Sequence, residues 1–312
     1  MKNLICCVLM IISSLFAIAQ DTIFTETELS VDKFTDGTIT IPADGNTKYL
    51  IIFIQGSGAT DRNGNQPMLQ NDGIKKITRE LAGNGIASFR YDKRIFKAQK
   101  LQLSEKDMIF EDFVEDAKNV VKYFRKQERF SNIIIAGHSE GSLIGMLVAQ
   151  ENADAFISLA GAADPIDEII TEQVTNMAPE LGASARTAFD EMAENGKTSN
   201  YSPMLEAVFR PSVQPFMASW MKYNPSEEIS KLKIPVLVVN GTSDIQVSEE
   251  QAQKLAESNE NSKLAILDQM NHIFRKIETK DRLVNTKSYN EPNLPLHPEL
   301  VSILTEFVKE LD

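Results

Sequence analysis

Cysteine is almost absent from this 312-residue chain, and both copies, Cys6 and Cys7, fall in its first apolar run. Once that run is removed, no disulfide, thiolate nucleophile or cysteine metal site can form. Histidine is nearly as scarce. Acid–base chemistry by imidazole must use His138, His272 or His297, and no His-Glu-x-x-His stretch exists. Positive charge is short too: 32 Lys and Arg against 44 Asp and Glu leave a net charge of −12. Loss of Lys2 takes −12 to −13. Such a chain repels phosphate backbones, so nucleic acid is not an expected partner. Phosphate and calcium loops fail at single positions. After Gly56-x-Gly58 the third glycine of a dinucleotide fingerprint is Asp61, and the glycine of a calcium loop opening at Asp61 is Gln66. No cofactor and no metal are expected.

Long hydrophobic runs are missing beyond the start. There "MKN" supplies a positive charge, "LICCVLMIISSLFAIA" an apolar stretch, and Ala17-Ile18-Ala19 small residues suited to cleavage. The run is short for a bilayer span. Residues 1–19 therefore read as a secretory signal, with export to the periplasm or beyond and no stable membrane span afterwards. Both cysteines precede most of the apolar run, which argues against a lipoprotein signal. Oligomeric state is not legible.

What remains is 20–312, and the whole chain is 42% hydrophobic and 24% charged, enough for a packed core. "FTETELSV" and "GTITIPA" alternate apolar and polar residues around Asp36-Gly37, and predict an edge hairpin. "KYLIIFI", "IASFRYD", "NIIIAG", "AFISLAG", "IPVLVVNG" and "SKLAILD" read as buried strands. Helical patterns separate them: "GIKKITRELAGNG", "FEDFVEDAKNVVKYFRKQ", "SLIGMLVAQ", "SEEQAQKLAES" and "PELVSILTEFVKEL". Ser248 is the expected N-cap of the fourth, with Gln251 completing the box. Such alternation predicts an α/β fold with a mainly parallel sheet covered on both faces. In such sheets ligands meet the carboxyl ends of the strands. Residues 165–230 break the alternation, are too long for one crossover, and read as a helical cap inserted above the sheet.

The chemistry centres on "IIIAGHSEGS". Gly137-x-Ser139-x-Gly141, with a strand before and a helix after, matches a nucleophile elbow. A serine needs a base and an orienting acid, which follow it in the order Asp, His in this architecture. His272 follows the last strand by a short loop, and Asp244 ends an earlier strand. His297 is the rival base and Asp268 the rival acid, but Asp268 ends the strand just before the His272 loop and would crowd it. His138, adjacent to Ser139, reads as structural. The glycine-flanked loop "QGSG" offers the Ser57 amide as first oxyanion donor, and the Glu140 amide is the second.

The sequence also resembles a family: the secreted bacterial α/β-hydrolases of the serine-aminopeptidase-like branch, acyl esterases among them. "FIQGSGATDRNG", "RYDKR", "IAGHSEGS", "FRPSVQPFMASWMKYNP", "IPVLVVNGTSDIQV", "MNHIF" and "LPLHPELV" carry the likeness, from about Thr38 to the end of the chain. It implies the α/β-hydrolase fold, with Ser139 as nucleophile, Asp244 as acid, His272 as base, and the Ser57 and Glu140 amides as oxyanion hole. Relatives often follow "RYD-x-R" with a glycine-rich turn. Here "KRIFKAQKLQ" replaces it, so the pocket rim near Arg94 departs from theirs, and Gln55 stands where other α/β-hydrolases carry histidine.

The expected function is a serine carboxylesterase acting on small, uncharged acyl esters through an acyl-enzyme. A peptidase or amidase would use the same triad, with Glu168 or Glu172 as candidate anchors for a peptide amine. A non-catalytic binding module is the third class, and the complete set of Ser, Asp and His argues against it. Phe216, Met217, Trp220 and Met221 recur at roughly helical spacing. They are either an apolar wall of the acyl pocket or the packed interior of the cap.

Overall fold

The computed structural model describes residues 23–311, so the expected signal over 1–19 lies outside the described residues. Strands β1 (Phe24–Ser30) and β2 (Asp36–Pro42) form an antiparallel hairpin. Its turn is Val31–Thr35, closed by the Val31 amide on the Thr35 carbonyl at 2.9 Å. Asp36 and Gly37 lie inside β2 instead of in the turn, because the Asp32 carboxylate caps the amides of Phe34 and Thr35 and turns the chain earlier.

Strand β3 (Tyr49–Ile54) leads through α1 (Gly73–Gly83) to β4 (Ala87–Tyr91). The short α2 (Ala98–Leu101) and the long α3 (Phe110–Gln127) precede β5 (Asn132–His138), and α4 (Glu140–Asn152) leads to β6 (Ala155–Leu159). Then come α5 (Ile166–Met177), α6 (Pro179–Asn195), α7 (Glu206–Phe209), α8 (Gln214–Trp220) and α9 (Pro225–Ser230). The chain closes with β7 (Val236–Gly241), α10 (Glu249–Glu257), β8 (Ser262–Leu267), α11 (Arg282–Ser288) and α12 (Leu300–Lys309).

The eight strands run in the order β1-β2-β4-β3-β5-β6-β7-β8, parallel from β4 onward. Strand side chains alternate between faces, and the sequence supplies apolar residues to both. Leu50, Ile52, Ile133, Ile135, Val236 and Val238 enter one core with α3, α4 and α10. Ile51, Phe53, Ile134, Ala136, Leu237 and Val239 enter the other with α1 and α12. In α3, Phe110, Phe113, Val114, Ala117, Val121 and Phe124 line one buried stripe at helical period. Ser248 does sit at the N-cap of α10, but the expected capping box does not form. Gln251 instead reaches out to accept the amides of Ala163 and Asp164 (2.9 and 3.0 Å) and so ties α10 to the loop after β6. Among the described residues no helix is long and apolar enough to cross a membrane.

Candidate active site

Ser139 occupies the turn between β5 and α4 with φ 54° and ψ −120°. Holding a non-glycine residue there costs about 1–3 kcal/mol and persists only if the surroundings enforce it. They do. The Ser139 amide donates to the Leu159 carbonyl and its own carbonyl accepts from Ser142, both at 2.9 Å. The bracketing glycines are required by space. A Cβ on Gly137 would overlap the Gly141 carbonyl, and one on Gly141 would overlap the carbonyls of Ile54 and Gln55. Strand, turn and helix thus pack backbone to backbone, and the Ser139 side chain faces a cavity of about 630 Å³ at the carboxyl end of the sheet.

Asp244 sits in the turn after β7. Its Oδ1 accepts from the amides of Gln246 (2.8 Å) and Val247 (3.0 Å), and its Oδ2 accepts from His272 Nδ1 at 2.7 Å. The Asp244 side chain is fully buried and that of His272 is 4% exposed. The His272 loop is fixed by Asn271, whose side chain accepts from the Arg275 amide (2.8 Å) and donates to Asn285 and Ser288 (both 2.9 Å). With Nδ1 donating to the carboxylate, Nε2 of the neutral ring is left as an acceptor, the tautomer a general base needs. The Ser139 hydroxyl and His272 Nε2 are not hydrogen-bonded to each other here, and such contacts often tighten only around substrate.

The two other histidines brace this loop. His138 Nε2–H donates to the His272 carbonyl at 3.0 Å, and the two rings lie 4.8 Å apart. Burial, helped by the nearby His272 and Lys93, pushes the His138 imidazole down to about 3, so it stays neutral. His297 Nε2–H donates to the Asp268 carbonyl at 3.0 Å, and its amide holds the Phe274 carbonyl at 2.7 Å. Asp268 is exposed and takes the Thr242 hydroxyl at 3.3 Å, away from His272.

Ser57 lines the cavity with Gly58 and Ala59. Its loop is pinned where Thr60 Oγ1 (2.8 Å) and Gln66 Nε2 (3.1 Å) donate to the Ser57 carbonyl. Glu140 opens α4, so its amide has no intrahelical acceptor. Ser57 and Glu140 thus line the same cavity as Ser139, with the Glu140 amide one residue on from the serine. Gln55 is buried, donates to the Arg62 carbonyl at 3.4 Å, and leaves its Oε1 without a partner.

The rest of the cavity is mostly apolar. Phe216, Met217 and Trp220 line it, together with Phe113, Leu143, Ile169 and others. Met221 is not among the lining residues. It lies one residue beyond the end of α8 and is half-buried against the main core. Trp220 has two roles at once, since it also stacks on Phe110 (centroids 5.4 Å apart, 8° between planes). Arg94 is not on the rim. It is buried on Asp116, at 2.7 and 2.8 Å, while its neighbours Lys93 and Ile95 face the cavity. Glu168 and Glu172 do not line the cavity either. Sequence reading missed Lys93, whose Nζ donates to Glu140 Oε1 at 2.7 Å. No local spacing signals a pair so far apart along the chain. Among the described residues no group of three or more His, Cys, Asp or Glu is arranged to hold a metal ion.

The family model described as "Serine aminopeptidase, S33" matches residues 72–276, about two thirds of the chain. The chain belongs to that family. It is a serine hydrolase with the α/β-hydrolase fold, and the matched range takes in Ser139, Asp244 and His272. No curated protein matches it. Among solved structures, the serine aminopeptidase family member described here is similar to Est1E from Butyrivibrio proteoclasticus. That match has 18% identity and a TM-score of 0.58, covering 92% of this chain and 98% of that one. It is similar also to an esterase from Pyrococcus furiosus (14% identity, TM-score 0.54, 92% and 90% covered). A proline iminopeptidase from Mycobacterium smegmatis matches at 13% identity with a TM-score of 0.55, with 92% and 98% covered. At these identities the likeness carries the fold.

Proposed function

We infer that the protein is a serine carboxylesterase for uncharged, apolar esters, working through a Ser139–His272–Asp244 triad. Ser139 Oγ attacks the ester carbonyl as its proton passes to His272 Nε2. The amides of Ser57 and Glu140 receive the oxyanion, and the alcohol leaves with the proton from His272. Water, deprotonated by the same nitrogen, then releases the acid. What supports the choice of ester over peptide is one observation: each acidic side chain lining the cavity is already in an ion pair. Glu105 is held by Arg210 at 2.6 Å, Glu140 by Lys93 at 2.7 Å, and Asp164 by Lys254. An aminopeptidase needs a carboxylate to spare for the substrate's ammonium group, since a charge enters such a cavity only with a partner.

The cavity is of a size that holds drug-sized ligands. The reading therefore extends from small acyl groups to ester groups of medium length, bounded by Phe216, Met217 and Trp220. The family description and the iminopeptidase neighbour favour the peptidase as the second reading. A panel of acetyl to palmitoyl esters run beside aminoacyl amides tests the choice. The esterase reading expects kcat/KM to climb by roughly the worth of a buried methylene, ~0.8 kcal/mol each, and then fall. Faster cleavage of an aminoacyl amide than of any ester overturns it. Export through a signal over residues 1–19 belongs to the same proposal, and sequencing the N-terminus of the mature protein checks it.

A further inference from the structure

Glu140 poses a problem for an esterase. Its backbone amide opens α4 beside Ser139, where a positive helix end and a free N–H would stabilise a developing oxyanion. Its side chain carries the opposite charge into the same cavity, and is only 1% exposed. Unbalanced, that carboxylate would repel the negative charge that forms during acyl transfer, with little water to screen it. Lys93 supplies the balance. It follows β4 by two residues, is 6% exposed, and places Nζ 2.7 Å from Glu140 Oε1. The same ammonium lies 5.4 Å from the centre of the Phe113 ring, another cavity wall. Its charge also reaches the histidine cluster, where it helps to keep His138 neutral.

We propose that Lys93 is a positioning residue for catalysis: its ammonium neutralises the Glu140 carboxylate and fixes the first turn of α4, so that the Glu140 amide meets the oxyanion without an opposing charge. This rests on the esterase reading of the same site. The role differs from a purely structural ion pair in a measurable way. A purely structural pair acts on folding, so its loss lowers the melting temperature while kcat and KM of the protein that stays folded remain close to wild type. A charge balance can be restored by deleting the remaining charge, because the backbone amide stays.

The test is steady-state kinetics on one activated ester for the full protein and four variants. Lys93→Met is expected to lower kcat on the order of 10- to 100-fold, less than the ~10²–10³-fold cost of removing an oxyanion donor outright because the amide itself stays, with KM changed by less than about threefold. Lys93→Met/Glu140→Gln is expected to recover at least about tenfold of that loss. Breaking one side of a buried pair can unfold a protein. Lys93→Gln therefore serves as the second probe, since it keeps a hydrogen-bond donor for Glu140 and removes the charge. It is expected to be slow in kcat as well, with its melting temperature recorded alongside. A wild-type kcat in Lys93→Gln or Lys93→Met, or a double variant no faster than Lys93→Met, overturns the proposal. Ser139→Ala run in parallel separates the two levels. Turnover persisting in that variant overturns the esterase reading itself, whereas an inactive Ser139→Ala beside a fast Lys93→Gln removes only the role of Lys93.

Discussion

Replacing Asp244 by Asn changes one atom in a fully buried side chain, and its consequences can be followed bond by bond. Asn keeps an oxygen to accept from the amides of Gln246 and Val247, now at 2.8 and 3.0 Å. The loop after β7 therefore retains its shape. The other oxygen, which now accepts from His272 Nδ1 at 2.7 Å, becomes an NH₂ donor. Two donors cannot face each other, so the imidazole moves its proton to Nε2 and presents an N–H to Ser139. A ring in that tautomer cannot take the serine proton. The expected loss is on the order of 10⁴ in kcat, which corresponds to about 5 kcal/mol of transition-state stabilisation. Stability changes less. One hydrogen bond to a charged group is lost, worth ~1.5–3 kcal/mol, so the melting temperature drops by several degrees and the fold survives. Initial rates on an activated ester, with circular dichroism and a thermal melt on the same sample, provide the assay. A folded Asp244→Asn variant that keeps a tenth or more of wild-type kcat would refute this reasoning.

Three further outcomes are expected. His272→Ala abolishes turnover, whereas His297→Ala keeps most of it at a lower melting temperature, because the His297 ring braces the Asp268 carbonyl and accepts the Glu299 amide, while its backbone hold on Phe274 survives in alanine; rates and melts on both variants check the ranking. Trp220→Ala removes a ring that both stacks on Phe110 and lines the cavity. It is expected to cost about 3–5 kcal/mol and to move the preferred acyl length upward, and an unmoved optimum in the ester series contradicts the wall assigned to Trp220. Acid destabilises the fold through His138. Its folded-state pKa, near 3, lies below the ordinary value of 6.5, so the unfolded chain binds the extra proton and stability falls as pH drops from 6.5 toward 3. Melts across that window should slope for the wild type and less steeply for His138→Gln, which keeps a donor for the His272 carbonyl; equal slopes contradict it.

Much of the fold was legible because it rests on local rules. Apolar runs such as "YLIIFI" and "VLVVNG" had to be buried on both faces, which only a covered parallel sheet allows. The turn at Ser139 was legible for the same reason, since Gly137 and Gly141 mark where backbones touch. Longer-range chemistry was not. Gln251 looked like a helix cap, but a stronger use of its amide lay across the fold at Ala163 and Asp164. Asp36-Gly37 looked like a turn until the Asp32 carboxylate claimed the amides ahead of it. Periodicity grouped Met221 with Trp220, yet the helix ends between them. The pairing of Lys93 with Glu140 depends on how β4 and β5 are ordered in the sheet, which no local pattern encodes.

The central claim is that Ser139 is a nucleophile activated by its setting. Incubating the protein with a fluorophosphonate, followed by intact-mass measurement and peptide mapping, tests it most directly. The account predicts one adduct per chain, on the peptide containing Ser139, formed quickly in the wild type and at least about a hundredfold more slowly in His272→Ala. An unlabelled wild-type protein, an adduct on another residue, or equal labelling rates in the two proteins would contradict it.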